Sequence, residues 1–181
     1  EIEEEFLKAG ADAFIAKPLF KSRMACAFHK FRRDNPVELS SQNEQTPSVL
    51  AGKRILLVED NELNLEIAAE LLQMQGILVD TAENGLRAIE LFSKTEAGFY
   101  DAILMDIRMP QMDGLAAANH IRHMSNTDAK TIPIIAMTAN AFDDDMEKSK
   151  AAGMNAHLAK PIEPERLYQV LYDFILSQEE E

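Results

Sequence analysis

The 181-residue chain is poor in several things, and each shortage closes a class of function. Cysteine occurs once, as Cys26, so no internal disulfide framework exists and a reducing compartment fits. Nothing beside Cys26 looks like an activating base, and it reads as a core or helix residue. No apolar run approaches the roughly 18 residues of a membrane span, and no secretory signal opens the sequence. Positive charge is scarce. Residues 53–181 carry 11 Lys/Arg against 23 Asp/Glu, and the whole chain has a net charge of −13. Nucleic-acid binding needs clustered Lys/Arg to neutralise phosphates, so this acidic body argues against it. No glycine-rich loop follows the first apolar strand, which excludes a phosphate-cradling nucleotide fold. Kinase catalytic motifs are missing too.

What is present is 46% hydrophobic, enough for a real core. Residues 34–52 are polar and aperiodic, from Asn35-Pro36 to Thr46-Pro47, and read as a linker. Residues 53–178 alternate strand and helix patterns. Apolar runs at Ile55–Val58, Ile77–Thr81, Ala102–Met105, Ile132–Met137 and Ala156–Ala159 predict five strands buried on both faces of a parallel sheet. Between them, Leu63, Ile67, Leu71 and Leu72 predict the buried face of a first helix, and Leu86, Ile89, Leu91 and Phe92 that of a second. A third follows Asp113-Gly114, and a fourth runs from Asp143-Asp144-Asp145 to Gly153. The last buries Leu167, Val170, Leu171, Phe174 and Ile175. Strict alternation over this length predicts an α/β, doubly wound, five-stranded parallel sheet.

An internal repeat precedes it. Shifted by 143 positions, Ala9-Gly10 falls on Ala152-Gly153, Ala16-Lys17-Pro18 on Ala159-Lys160-Pro161, and Phe31 on Phe174. Residues 1–33 therefore read as the last third of a second copy of the same domain, with Lys17 an inactive remnant.

Ligands of open α/β sheets bind at the carboxyl ends of the strands. Those ends hold Glu59-Asp60, Asp106, Thr138 and Lys160. Three close carboxylates call for a cation, and oxygen ligands around an open position suit Mg²⁺. A carboxylate beside such a cation can attack a phosphoryl group and form an aspartyl phosphate. Lys160, Thr138 and backbone N–H groups would stabilise its oxygens.

Leu56-Leu57-Val58-Glu59-Asp60-Asn61, Leu104-Met105-Asp106-Ile107-Arg108-Met109-Pro110 with Met112-Asp113-Gly114, Met137-Thr138-Ala139 and Ala159-Lys160-Pro161 together resemble the response-regulator receiver family. That resemblance implies a flavodoxin-like fold. It implies that Asp106 is the phosphoacceptor, that Asp60 binds Mg²⁺ directly, that Glu59 acts largely through water, and that the backbone carbonyl of Arg108 is a further ligand. It implies a cis bond between Lys160 and Pro161, a signalling role for Thr138, and a switch role for His157. Arg108 and Asn140, which flank the acceptor, would tune dephosphorylation.

The wording Val58-Glu59-Asp60-Asn61 with Asn64 looks like receivers fused to hybrid sensor histidine kinases, often in tandem. The implied partners are a histidine kinase core and a histidine phosphotransfer domain. The fourth helix, fifth strand and fifth helix would form a self-association face. The region would be cytoplasmic, without membrane contact of its own, in a parent protein that carries any membrane anchor. The alternative is a stand-alone response regulator, acting through protein contacts or a DNA-binding effector. A phosphatase of the haloacid dehalogenase type would want an Asp two residues after the nucleophile, where Arg108 stands. His29, His120 and His123 have no matched ligand partner, the methionines read as packing, and Glu179–Glu181 read as a solvated tail.

Overall fold

The computed structural model describes residues 48–139 and 143–176, with the side chains of 143–145 left aside. The remnant expected at residues 1–33, most of the 34–52 linker, Asn140 and the acidic tail lie outside the described residues. Five strands run in order: β1 (Arg54–Val58), β2 (Leu78–Ala82), β3 (Ala102–Asp106), β4 (Ile134–Thr138) and β5 (Ala156–Ala159). All pairings are parallel, in the order β2-β1-β3-β4-β5. The helices are α1 (Glu62–Gln73), α2 (Gly85–Ser93), α3 (Gly114–Arg122), α4 (Asp143–Ala151) and α5 (Pro164–Leu176).

Strand side chains alternate between two faces. Ile55 and Leu57 of β1 join Leu104 of β3 and Met137 of β4 on one face, packed on Ala68, Leu71 and Leu72 of α1 and Leu167, Leu171 and Ile175 of α5. Leu56 and Val58 join Ile103 and Met105 on the other, packed on Phe92 of α2 and Ala117, Ala118 and Ile121 of α3. The doubly wound, flavodoxin-like architecture is the expected one. Its central strands β3 and β4 are buried at every position.

Four details depart from the sequence reading. β2 is an edge strand, and Leu78 is 47% exposed rather than buried between layers. Leu63 and Leu86, expected on buried helix faces, are 51% and 49% exposed. The rest of the expected faces holds at Leu71, Leu72 and Phe92, which are buried, with Ala68 in α1 and Ala88 in α2 beside them. β4 starts at Ile134 because Pro133 has no N–H for the ladder, although its carbonyl still accepts from Ile103. Among the described methionines, Met74 and Met146 are exposed, so packing describes the other described ones better than these two.

Each of the first three helices starts on a side-chain cap at the strand carboxyl edge. Asn61 accepts from the Asn64 N–H, Asn84 from Arg87, and Asp113 from Ala116. The far end of α3 is tied to the β5 entry by Arg122. Its guanidinium donates to the carbonyls of Gly153 and Ala129 and to Asn155 Oδ1, each at 2.8 Å.

Candidate functional site

Sheet order explains why the site forms where it does. From β1 the sheet is wound one way, to β2, and from β3 the other way, to β4 and β5; this switch between β1 and β3 opens a crevice above their carboxyl ends. β1 delivers Glu59 and Asp60 to one side, and β3 delivers Asp106 to the other. Ligand oxygens of the three lie within 4.8 Å of one another. Glu59 is 3% exposed and Asp106 6%, whereas Asp60 is exposed.

Lys160, just after β5, reaches across the crevice. Its Nζ donates to Glu59 Oε2 at 2.5 Å and to Asp106 Oδ2 at 2.7 Å. The Lys160–Pro161 bond is cis, as the resemblance implies. The other Asp106 oxygen, Oδ1, accepts from the Arg108 backbone N–H at 3.2 Å, while the Arg108 side chain is exposed. Glu59 Oε1 accepts from Asn64 Nδ2 at 3.1 Å and from the Asn61 N–H at 3.4 Å. Buried carboxylates need such partners, and both have them. Three carboxylates against one ammonium leave a formal charge of −2, which a divalent cation would balance. The donor set is oxygen only and opens to solvent at Asp60, which fits Mg²⁺ and its retained waters.

Thr138 ends β4, is buried, and pairs in register with Ala159; its carbonyl accepts from the Lys160 N–H at 2.8 Å. The β4 and β5 ends are thereby locked beside Asp106. His157 lies two residues back along β5, half-buried, with Nε2 bonded to Ser149 Oγ of α4. Ser149 Oγ also donates to the Met146 carbonyl at 3.0 Å. Burial holds the His157 imidazole below its ordinary pKa. His157 thus links β5 to α4 and stands apart from the acidic cluster.

Gly114 closes the site from below. A Cβ there would lie 2.1 Å from the Asp106 carbonyl oxygen, so only glycine lets α3 start this close to β3. His120 and His123 are exposed at the end of α3, away from any carboxylate cluster among the described residues.

Sequence reasoning found the strand-end residues but assigned no work to Asn64 or Ser149. The Asn64 amide could have been suspected from its spacing: three residues after a helix cap and five after Glu59, it sits on the first turn facing back toward the strand. Ser149 carried no signal beyond being a polar residue on an otherwise charged helix.

Comparison with known proteins agrees with the geometry. The response regulator receiver domain family matches residues 55–172. Probable histidine kinase 1 of Oryza sativa subsp. indica is 32% identical over 93% of this chain, and a hybrid signal transduction histidine kinase I of Dictyostelium discoideum is 36% identical over 76%. The chain spans only 20% and 8% of those two relatives. A receiver domain of a sensor histidine kinase from Pseudomonas aeruginosa, with a magnesium ion coordinated in its active site cleft, superposes with a TM-score of 0.62. It is 40% identical and covers 69% of this chain and 98% of its own. The receiver domain of the response regulator Ssk1, in its co-crystal with the histidine phosphotransfer protein Ypd1 of Saccharomyces cerevisiae, superposes with a TM-score of 0.64 at 26% identity, covering 72% and 93%. A sheet ordered 2-1-3-4-5, an acidic crevice at its switch point spanned by a lysine, and a family match along the same strands all coincide, and the chain belongs to the response regulator receiver domain family.

Proposed function

We propose that this chain is the phosphoacceptor module of a hybrid histidine kinase relay, with Asp106 as the residue that takes the phosphoryl group. The observation that carries the reading is the Glu59, Asp60 and Asp106 cluster with Lys160 donating into it. An Asp106 oxygen attacks the phosphorus of a phosphohistidine. The P–N bond breaks as the P–O bond forms, and the leaving imidazole nitrogen ends neutral or takes a proton from water. Lys160 turns its ammonium from the free carboxylate to a phosphoryl oxygen, and Thr138 offers its hydroxyl to another. Asp60, Asp106 and the Arg108 carbonyl would hold Mg²⁺ directly, with Glu59 behind a water. When bound, Mg²⁺ supplies positive charge for the phosphoryl oxygens. The return step passes the phosphoryl group to a histidine phosphotransfer domain. Thr138, His157 and the α4-β5-α5 face carry the news of phosphorylation as a two-state shift.

Support for the hybrid parent comes from the extent of similarity. The rice relative matches 93% of the chain, well beyond the receiver limits of 55–172. That agrees with residues 1–33 being the end of a preceding receiver and 34–52 a linker. Support for the relay partner comes from the yeast receiver seen with its histidine phosphotransfer protein. Among the described residues, no helix is long and apolar enough to cross a membrane.

The test is transfer itself. A phosphotransfer protein carrying labelled phosphohistidine should pass its label to the wild-type chain in the presence of Mg²⁺. Asp106→Asn, which keeps the shape and removes the nucleophile, should take none. Label on the Asn variant would put the acceptor elsewhere.

A further inference from the structure

We infer that Asn64 sets the cation preference of this site by holding Glu59 out of direct coordination. The inference rests on the Mg²⁺-dependent reading of the acidic crevice. Glu59 is almost wholly buried, and protein donors occupy both of its oxygens. Oε2 takes the Lys160 ammonium at 2.5 Å; Oε1 takes the Asn64 amide at 3.1 Å and the Asn61 N–H at 3.4 Å. Asn64 is itself fixed, because its own N–H is the one the Asn61 cap holds, at 3.1 Å. The cap fixes the Asn64 backbone, so its amide reaches Glu59 from a set point on the first turn of α1.

Asp106 takes a single donor on each oxygen, Lys160 on Oδ2 at 2.7 Å and the Arg108 N–H on Oδ1 at 3.2 Å, so each oxygen keeps a lone pair, whereas two donors fill Glu59 Oε1. With the exposed Asp60, that leaves two carboxylates to face a cation. That number suits Mg²⁺, which keeps several waters in a small octahedral shell and takes one or two carboxylates. Ca²⁺ takes six to eight oxygens in a flexible shell and gains more from a third carboxylate. Removing the Asn64 amide leaves Glu59 Oε1 with only the long Asn61 contact. The freed oxygen then turns to the cation and becomes the third carboxylate ligand. Asn64 is thus a positioning residue: it acts on the cation only through Glu59.

Asn64→Ala should fold, since the position is exposed and alanine favours helix. Circular dichroism melts check that it does. Calorimetric titration of the full chain with Mg²⁺ and, separately, with Ca²⁺ gives two dissociation constants for each protein. The variant should shift the ratio of affinities toward Ca²⁺ by roughly threefold to tenfold, about 0.7–1.4 kcal/mol. An unchanged ratio overturns the inference. So does a parallel loss for both cations, which would mean that Asn64 merely seats the first turn of α1. The underlying reading is judged separately, by whether the wild-type chain gains a phosphoryl adduct from an acyl-phosphate donor with Mg²⁺. An adduct on wild type with an unchanged cation ratio in Asn64→Ala would sink the role of Asn64 alone.

Discussion

Adding one methyl group at Gly114 should damage both the fold and the Asp106 site. The new Cβ would stand 2.1 Å from the Asp106 carbonyl oxygen, 3.0 Å from the carbon of that carbonyl and 2.9 Å from Met105 Cγ. Non-bonded carbons settle at about 3.5–4.0 Å, so the start of α3 must retreat by roughly an ångström. Met105 could yield, but the Asp106 backbone cannot, because it pairs with Met137 of β4 at the end of a strand that lies between β1 and β4. Retreat also stretches the 2.9 Å bond from the Gly114 N–H to the Ile107 carbonyl. Overpacking of this kind costs about 1–3 kcal/mol and a lost backbone hydrogen bond about 1 kcal/mol more. We expect Gly114→Ala to lose about 3 kcal/mol in urea denaturation with an unchanged slope, a large share of a typical domain's stability. Phosphorylation should slow as well, since the retreating loop carries the Arg108 N–H that holds Asp106 Oδ1. Gly98→Ala is the comparison. Its φ is +78° but nothing lies within 4 Å of the added carbon, so it should cost only the left-handed backbone penalty, about 1–2 kcal/mol, and leave phosphorylation alone. A Gly114→Ala protein no less stable than Gly98→Ala, and phosphorylated at the wild-type rate, would refute this reasoning.

Other perturbations follow from the same geometry. Arg122→Ala removes three hydrogen bonds at once and strands two carbonyls, so denaturation should show a loss of about 2–4 kcal/mol with little change in phosphorylation. His157 has its pKa pushed down by burial, so its protonated form is favoured in the unfolded chain. Its contribution is intact above its ordinary value of 6.5 and is lost as pH falls through the lower folded value, where protonation also strands a charge beside Ser149. Denaturation midpoints followed from about pH 8 to pH 5 should fall for wild type and fall less for His157→Gln; parallel curves would remove His157 from the account. Asp60→Ala should weaken Mg²⁺ binding in calorimetry, and equal affinity in both proteins would take Asp60 out of the site.

The sequence made the sheet legible because its strands are short apolar runs separated by helices, a pattern with few three-dimensional solutions. The same regularity exposed the site. Once Glu59-Asp60, Asp106, Thr138 and Lys160 are known to end parallel strands, they must share an edge. Other features lay beyond reach for a physical reason. Leu63 and Leu86 fit an apolar stripe, yet each lies in the first turn of its helix and is exposed, while Leu71, Leu72 and Phe92 further along are buried as expected, with Ala68 and Ala88 beside them. Periodicity alone cannot rank two apolar candidates on neighbouring faces. β2 reads like an inner strand until its position at the sheet edge is known. Contacts between residues far apart in sequence were the least visible. The Arg122 bond to Gly153 spans 31 positions and the Lys160 bond to Glu59 spans 101, and no local pattern announces either. The Ser149–His157 bond is closer in sequence but depends on where α4 lies against β5.

The central claim is that Asp106 accepts a phosphoryl group in a site that needs a divalent cation. Intact-mass measurement tests it most directly. The wild-type chain and Asp106→Asn are each incubated with a small acyl-phosphate donor, with Mg²⁺ and with a chelator. The account predicts a single phosphoryl adduct on wild type with Mg²⁺ and none in the other three samples. An adduct on Asp106→Asn, or an equal yield in chelator, would contradict it.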